Sequence, residues 1–277
     1  LNDLNNKSDF IISLSHLNRL QDKKTAEDFH QLRMVLGGHE HDNMKFTSGN
    51  AQITKADANA KSAYVHRIRY NTLTKKYKIQ SELVKLDQSI PLDAEVNKLV
   101  SRWKELEWRT VREMGFDPDQ EIIGSSVQYD ARETTIRNQP AIFTQMICRS
   151  MLKTCPDCDA AIMNSGSVRL DDKIEGKISQ YDILRALPYA GSLIELNMSG
   201  NLLQKVLDAG WSNKGRGGFL QWENITRQNN GQWLIQSKPL DTNKSYHIIL
   251  NEFLLTGLEK GIEFLIKDNP EISNIIS

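Results

Sequence analysis

Two short apolar runs constrain the fold of this chain most. Residues 9–14 (Asp-Phe-Ile-Ile-Ser-Leu) and 34–36 (Met-Val-Leu) are strand-sized, and each runs directly into a polar loop. They read as buried strands, with Ala26 to Arg33 between them as a short helix. Strand, helix, strand is the unit of a layered α/β fold, whose functional groups gather at the carboxyl ends of strands. Two loops would lie on that edge: Ser15-His16-Leu17, and Gly37-Gly38-His39-Glu40-His41-Asp42. Further on, Ile53 to Ala56, Ser62 to Tyr70 and Tyr77 to Lys85 alternate apolar and polar positions as half-exposed strands.

From Pro91 the period changes. Val96, Leu99, Val100, Trp103, Leu106, Val111 and Met114 follow helical spacing, with Asp93 near the start and Gly115 after the end. Residues 1–90 therefore read as one domain, 91–120 as a connecting helix and hinge, and 121–277 as a second domain. Gly115 would end the helix and Pro118 fix the next turn, which places the hinge at Phe116 to Gln120. In the second domain, strands are expected near Ile122 to Tyr129, Ala160 to Met163, Leu193 to Met198, Trp233 to Gln236 and Tyr246 to Leu250. Helices fit Ile142 to Leu152, Gln180 to Leu187 and Leu202 to Ala209.

Composition excludes several classes. With 25% charged and 39% hydrophobic residues in 277, the chain is ordinary globular material, neither collagen-like nor low-complexity nor disordered. Lys+Arg 35 against Asp+Glu 35 gives no net charge, which argues against a general electrostatic nucleic-acid binder. No apolar run approaches the roughly 18 to 20 residues of a membrane span. The first ten residues show no basic segment and apolar core of a signal peptide, an observation equally consistent with a true N-terminus lying elsewhere. Nothing in the pattern fixes the oligomeric state.

Cys155 and Cys158 form a C-P-D-C pair and Cys148 stands alone. The pair leaves open plain loop thiols, a local disulfide, or metal or redox chemistry. The histidine loops are more specific. Two histidines one residue apart on a glycine-rich turn can aim both imidazoles at one place, and neutral imidazole suits zinc, iron, manganese or nickel. His16, at the neighbouring strand end, would be a third ligand. The competing reading is an ordinary surface loop; His30, His66 and His247 lack such context and read as ordinary helix or strand residues.

At these residues the chain resembles a known family. Ile11 to Leu17 followed by Gly37-Gly38-His39-Glu40-His41 is similar to the last two metal-binding motifs of calcineurin-like metallophosphoesterases. Ala161-Ile162-Met163-Asn164-Ser165-Gly166-Ser167-Val168-Arg169 resembles the N-G-G-x-x-R segment of 5'-nucleotidases. Leu187-Pro188-Tyr189 and Gly218-Phe219-Leu220-Gln221 resemble their L-P-[FY] and G-x-F-L-Q. The resemblance covers nearly the whole chain. It implies an α/β (α+β) architecture: the C-terminal part of a metallophosphoesterase sandwich, a connecting helix, and a mixed α/β nucleotidase C-terminal domain.

The resemblance further implies a metal-dependent phosphoester hydrolase acting on nucleotides. Two divalent ions (Zn, Mn, Fe, Ni or Co) would be involved, His16 and His39 serving one and His41 the other. Asn164 would bond the base, Arg169 would contact the ribose and its carboxylate partner, and Tyr189 would stack, with Gly166 close by. Phe264 and Asp268 would supply the second aromatic and an acid. The family is usually exported, which implies a periplasmic or extracellular location.

The chain also departs from the family. The motifs D-x-H, G-D-x-x-D and G-N-H-[ED] are absent, so the catalytic histidine and the remaining ligands are expected upstream of Leu1. Gln139 and Pro140 stand where the family has a substrate-carrying arginine and a glutamate. Arg137, two residues away, would compensate only with a backbone shift. An alternative is therefore a divergent nucleotide-binding relative with weak or no catalysis; a third reading is a retained fold whose fragment is inactive by itself.

Overall fold

The computed structural model describes Leu4, residues 7–124 and residues 127–276. The chain divides into two compact units, Leu1–Arg102 and Trp103–Ser277.

In the first unit, strands β1 (Ile11–Ser15), β2 (Leu32–Gly37), β3 (Met44–Ser48) and β4 (Ala51–Lys55) form a sheet ordered β1-β2-β4-β3. β1, β2 and β4 run parallel, so the chain leaves β1 and β2 at the same edge, with Ser15 opposite Gly37. Helix α1 (Arg19–Asp28) makes the crossover. It begins earlier than its apolar residues suggest, because Asn18 caps it: the Asn18 side chain accepts from the Gln21 amide at 2.9 Å while Gln21 accepts from the Asn18 amide. The expected helix at Ala26 to Arg33 is thus shifted toward the N-terminus, and residues 32 and 33 belong to β2. Ile11, Ala26, Leu32, Val35, Ala51 and Ile53 make the small core. β5 (Ser62–Tyr70) and β6 (Tyr77–Lys85) form a separate hairpin with nine paired positions.

Helix α2 (Ala94–Glu113) starts on Asp93, whose carboxylate accepts from the amides of Glu95 and Val96. Gly115, at φ +90°, ends it, with Phe116 bonding back to Val111. The boundary between units falls inside this helix. After it, Phe116 to Gln120 is tied to Gln180 by the Asp117 amide and the Gln120 carbonyl.

The second unit is built on a five-stranded sheet ordered β13-β9-β17-β12-β18. Its elements are β7 (Glu121–Ile123), β8 (Tyr129–Asp130), α3 (Glu133–Ile136), α4 (Ile142–Thr154), β9 (Ala160–Asn164), β10 (Lys173–Ile174), β11 (Ile178–Ser179) and α5 (Gln180–Ala186). They continue with β12 (Leu193–Ser199), α6 (Gly200–Ser212), β13 (Leu220–Glu223), β14 (Ile225–Arg227), β15 (Trp233–Ile235), β16 (Lys238–Pro239), β17 (Ser245–Asn251) and β18 (Ile272–Ile276). The single strand expected from Ile122 to Tyr129 is two short pieces in two small sheets, and residues 125 and 126 of that stretch lie outside the described residues.

The central strands β9 and β17 pair in parallel and are covered on both faces. Ala160, Ile162, Ile248 and Leu250 join a core with Leu202, Leu203, Val206 and Leu207 of α6. Ala161, Met163 and Ile249 point the other way, to Phe143, Cys148 and Met151 of α4. That is why these strands are continuous apolar runs, whereas β12 alternates. The architecture is mixed α/β. Cys155 and Cys158 form a disulfide between α4 and β9, and Cys148 is buried and free. Among the described residues, no helix is long and apolar enough to cross a membrane.

Candidate functional sites

The parallel pairing of β1 and β2 brings the two histidine loops together in the first unit. The amide of Gly38 donates to the Ser15 carbonyl at 3.0 Å, and the His16 and His39 rings lie 5.6 Å apart between centroids. The two glycines are needed for space. A Cβ on Gly37 would stand 2.7 Å from Cε of Lys55, and one on Gly38 would stand 3.0 Å from Nδ1 of His16. The strained backbone belongs instead to His39, at φ +78°, a conformation that costs a non-glycine residue about 1–2 kcal/mol.

Lys55, at the end of β4, holds both loops. Its ammonium is fully buried, pairs with Asp22 at 2.8 Å, donates to the Leu17 carbonyl at 2.6 Å, and also bonds Glu40 between His39 and His41. Asp22 in turn accepts from the Ser15 hydroxyl at 2.7 Å. Partial burial pushes the Glu40 carboxyl upward, but its bonds from Lys55 and the Arg19 amide outweigh this and hold it below the usual range.

The histidine pair passes a simple metal-fit test. Two imidazoles bound to one ion at about 2.0–2.1 Å have ring centroids on the order of 5 Å apart, close to what His16 and His39 show. His41 is exposed, and its carbonyl accepts from Ala58. Among the described residues, the three histidines do not bring donor atoms all within 4.8 Å of one another.

The second unit contains a cavity of about 900 Å³ at the carboxyl ends of β9 and β17. Asn164, Gly166, Arg169 and Tyr189 all line it, as do Phe253 and Glu259. Asn164 ends β9 and is 4% exposed. Its Oδ1 accepts from Ser167 at 2.6 Å and from Asn251 at 3.0 Å, while its Nδ2 donates to Glu259 at 2.8 Å. The amide orientation is thereby defined, and one N–H remains for a ligand acceptor. Burial pushes the Glu259 carboxyl up, against the bond from Asn164. Arg169 donates to the Tyr189 hydroxyl at 3.1 and 3.2 Å and lies over its ring. Tyr189 is 65% and Phe253 41% exposed, and the Arg169 guanidinium covers one face of the Tyr189 ring.

Other expected residues lie elsewhere. Phe264 is half-buried against the α6 side of the core, with the Lys205 ammonium 4.1 Å from its ring centroid, and Asp268 is exposed; neither lines the cavity. Phe253 and Glu259 line it instead. The strand-end rule reaches Phe253, which follows β17 by two residues, but no local signal marks Glu259. Arg137 is engaged by Glu133 and also does not line the cavity. Gln139 is exposed at its side chain. The backbone of this segment is held by Gln221, whose buried amide donates to the carbonyls of Ile136 at 2.5 Å and Gln139 at 2.9 Å and accepts from Thr144 at 2.6 Å.

Comparison with known proteins gives a consistent set of likenesses. The sequence pattern of the family described as 5'-nucleotidase, C-terminal domain, matches residues 122–265. The chain is 23% identical over 270 residues to the trifunctional nucleotide phosphoesterase protein YfkN of Bacillus subtilis, covering 89% of this chain and 18% of that one. It is 22% identical over 300 residues to a 5'-nucleotidase of Bos taurus, covering 89% of this chain and 50% of that one. In fold it is similar to the 5'-nucleotidase precursor from Thermus thermophilus, with a TM-score of 0.73 at 18% identity, over 95% of this chain and 58% of that one. The chain thus spans half or less of the length of these two curated relatives.

Proposed function

Because this chain belongs to the 5'-nucleotidase C-terminal domain family, we propose that it is the substrate-gripping portion of a metal-dependent phosphoester hydrolase acting on nucleotides. The observation that carries the reading is the cavity at the ends of β9 and β17, lined by two exposed aromatic rings, one oriented amide and one arginine. That combination suits a nucleoside, whose base has flat faces and ring acceptors. Tyr189 and Phe253 stack on the base. The remaining N–H of Asn164 donates to a ring nitrogen, and Glu259 keeps that amide from flipping. Arg169 is held on the cavity wall by the Tyr189 hydroxyl, beside the sugar.

His16 and His39 would hold a divalent ion in the first unit, with His41 on a second; two ions need more donors than these three residues, and the proposal assigns them to a segment outside the 277 residues. Bound there, such ions supply the charge that polarises a phosphoryl group and activates water at neutral pH. The contribution of this chain is to fix the two imidazoles through the Lys55 ties to Leu17, Asp22 and Glu40. The disulfide fits an exported protein, periplasmic or extracellular.

In the full-length protein, Asn164→Ala and Tyr189→Ala should each raise KM for nucleoside monophosphates at least tenfold, with little change for a small phosphate ester lacking a base. An unchanged nucleotide KM would remove the assignment. A second reading, binding with weak catalysis, is favoured by Arg137: Gln139 stands where the family carries an arginine, and the guanidinium nearby is committed to Glu133. Tight nucleotide binding by calorimetry with no phosphate release would select it.

A further inference from the structure

The C-P-D-C motif sits at a second convergence of side chains, none of which lines the cavity. Cys155 and Cys158 are each 4% exposed, and their Cα atoms are 5.4 Å apart across the Pro156-Asp157 turn. Facing them from adjacent strands are Glu195 of β12 and His247 of β17. One sulfur from each cysteine, a Glu195 carboxylate oxygen and a ring nitrogen of His247 all lie within 4.8 Å of one another.

The sheet register explains the convergence. Asn197 pairs with His247 and Glu195 with Ile249, so Glu195 and His247 are diagonal neighbours on one sheet face, Nε2 to Oε2 3.9 Å. The turn is locked to that register by Asp159, the residue after Cys158. Its carboxylate accepts from the His247 amide at 2.9 Å, and its own amide donates to the His247 carbonyl at 2.7 Å. Glu195 and His247 are therefore placed by the sheet, and the end of the cysteine turn is tied to His247 by Asp159, none of which depends on the disulfide. His247, which reads from sequence as an ordinary strand residue, is one of the four donors.

We propose that, when the disulfide is reduced, Cys155, Cys158, His247 and Glu195 bind one zinc-class divalent cation in a closed four-coordinate site. Two thiolates, an imidazole and a carboxylate are the donor set such ions take, and a C-x-x-C turn gives two of the four ligands a common origin. The disulfide and the metal thiolate are then alternative links pinning the same corner of the fold. The conversion balances with a dithiol reductant. It transfers two electrons and two protons to the Cys155–Cys158 bond and is itself oxidised to a disulfide; the incoming cation then displaces two thiol protons to solvent. Four protein ligands leave no open position, so the site is structural.

The test uses the full-length protein, reduced and titrated with Co²⁺ alone. A thiolate-to-cobalt charge-transfer band should grow to one equivalent and be displaced by Zn²⁺. Oxidised protein and Cys155→Ser should lack it, while Cys148→Ala should retain it. The histidine loops contain no thiol and cannot contribute to this band. His247→Ala and Glu195→Gln, at side chains about 30% exposed, should spare the fold and weaken the cobalt affinity tenfold or more. Absence of the band in reduced wild-type protein, equal affinity in both of those variants, or loss of the band in Cys148→Ala would each overturn the proposal. So would a reduced protein that unfolds and does not recover on adding Zn²⁺.

Discussion

Lys55 and Asp22 form an ion pair at 2.8 Å with side-chain exposures of 0% and 1%. A charge removed so completely from water is costly unless compensated, and here the compensation links the two histidine loops. Lys55→Met keeps the aliphatic stem and deletes the ammonium, leaving Asp22 buried and unpaired. Denaturant unfolding should show a loss of about 3–5 kcal/mol. A loss below about 1 kcal/mol would mean that the ammonium does not compensate Asp22.

Gly38→Ala separates packing from loop geometry. The added Cβ falls 3.0 Å from His16 Nδ1, on a flexible and exposed ring, so stability should change by less than about 1 kcal/mol. The His16 ring must move, however. The expected result is metal affinity in the full-length protein reduced tenfold or more, with an unchanged melting temperature. Unaltered affinity would separate His16 from metal binding.

Gln221→Leu removes the clamp on the segment from Ile136 to Gln139. The carbonyls of Ile136 and Gln139 lose their side-chain donor, while the Thr144 hydroxyl keeps the Ala141 carbonyl as an acceptor at 2.9 Å, for an expected cost of about 2–4 kcal/mol by thermal or denaturant unfolding. Gln221→Glu should cost at least as much at neutral pH, because a fully buried carboxylate would set an oxygen against both carbonyls, and the cost should shrink as pH falls and the carboxyl is protonated.

Glu259 gives a pH signature. Its folded-state pKa is raised by burial, so the folded protein holds this proton more tightly than the unfolded chain does. The associated stability is fully present below the ordinary glutamate value, about 4.3, and is lost as pH rises through the raised folded value. Glu259→Gln should therefore be more stable than wild type at neutral pH, with the difference closing as pH falls toward 4. A difference that is constant across that range would place the titration elsewhere.

The sequence exposes the parts of this structure that follow from local rules. Ala160 to Met163 reads as a buried strand because both faces are apolar, and Gly115 ends α2 as its position predicts. The strand-end rule puts Asn164 at the cavity, and the family resemblance adds Gly166, Arg169 and Tyr189, which line it too. Long-range pairing is not visible in the same way. Nothing in the order of residues shows that Lys55 buries itself against Asp22, or that Glu195 and His247 meet a cysteine turn. The shift of α1 was legible in principle, since Asn18 and Gln21 spell a capping box, but its helix buries only Asp22 and Ala26 and so lacks an apolar stripe. Phe264 and Asp268 are reached only through the family resemblance; Phe253, two residues after β17, needs only the rule already applied to the histidines.

The central pairing of β9 with β17 also sets an order of events during synthesis. Ile162 is matched to Leu250, about 90 residues later, so this contact carries a large sequence separation and closes late. Translated at about 5–20 residues per second, β9 waits several seconds with the edge that pairs with β17 open, although α4 precedes it and α6 is made before β17. The hairpin of β5 and β6, joined by a short turn, forms in microseconds once made. Nascent chains of this protein are therefore most vulnerable to aggregation in the interval between completion of β9 and emergence of β17, and a holdase that recognises short apolar strands would act in that interval.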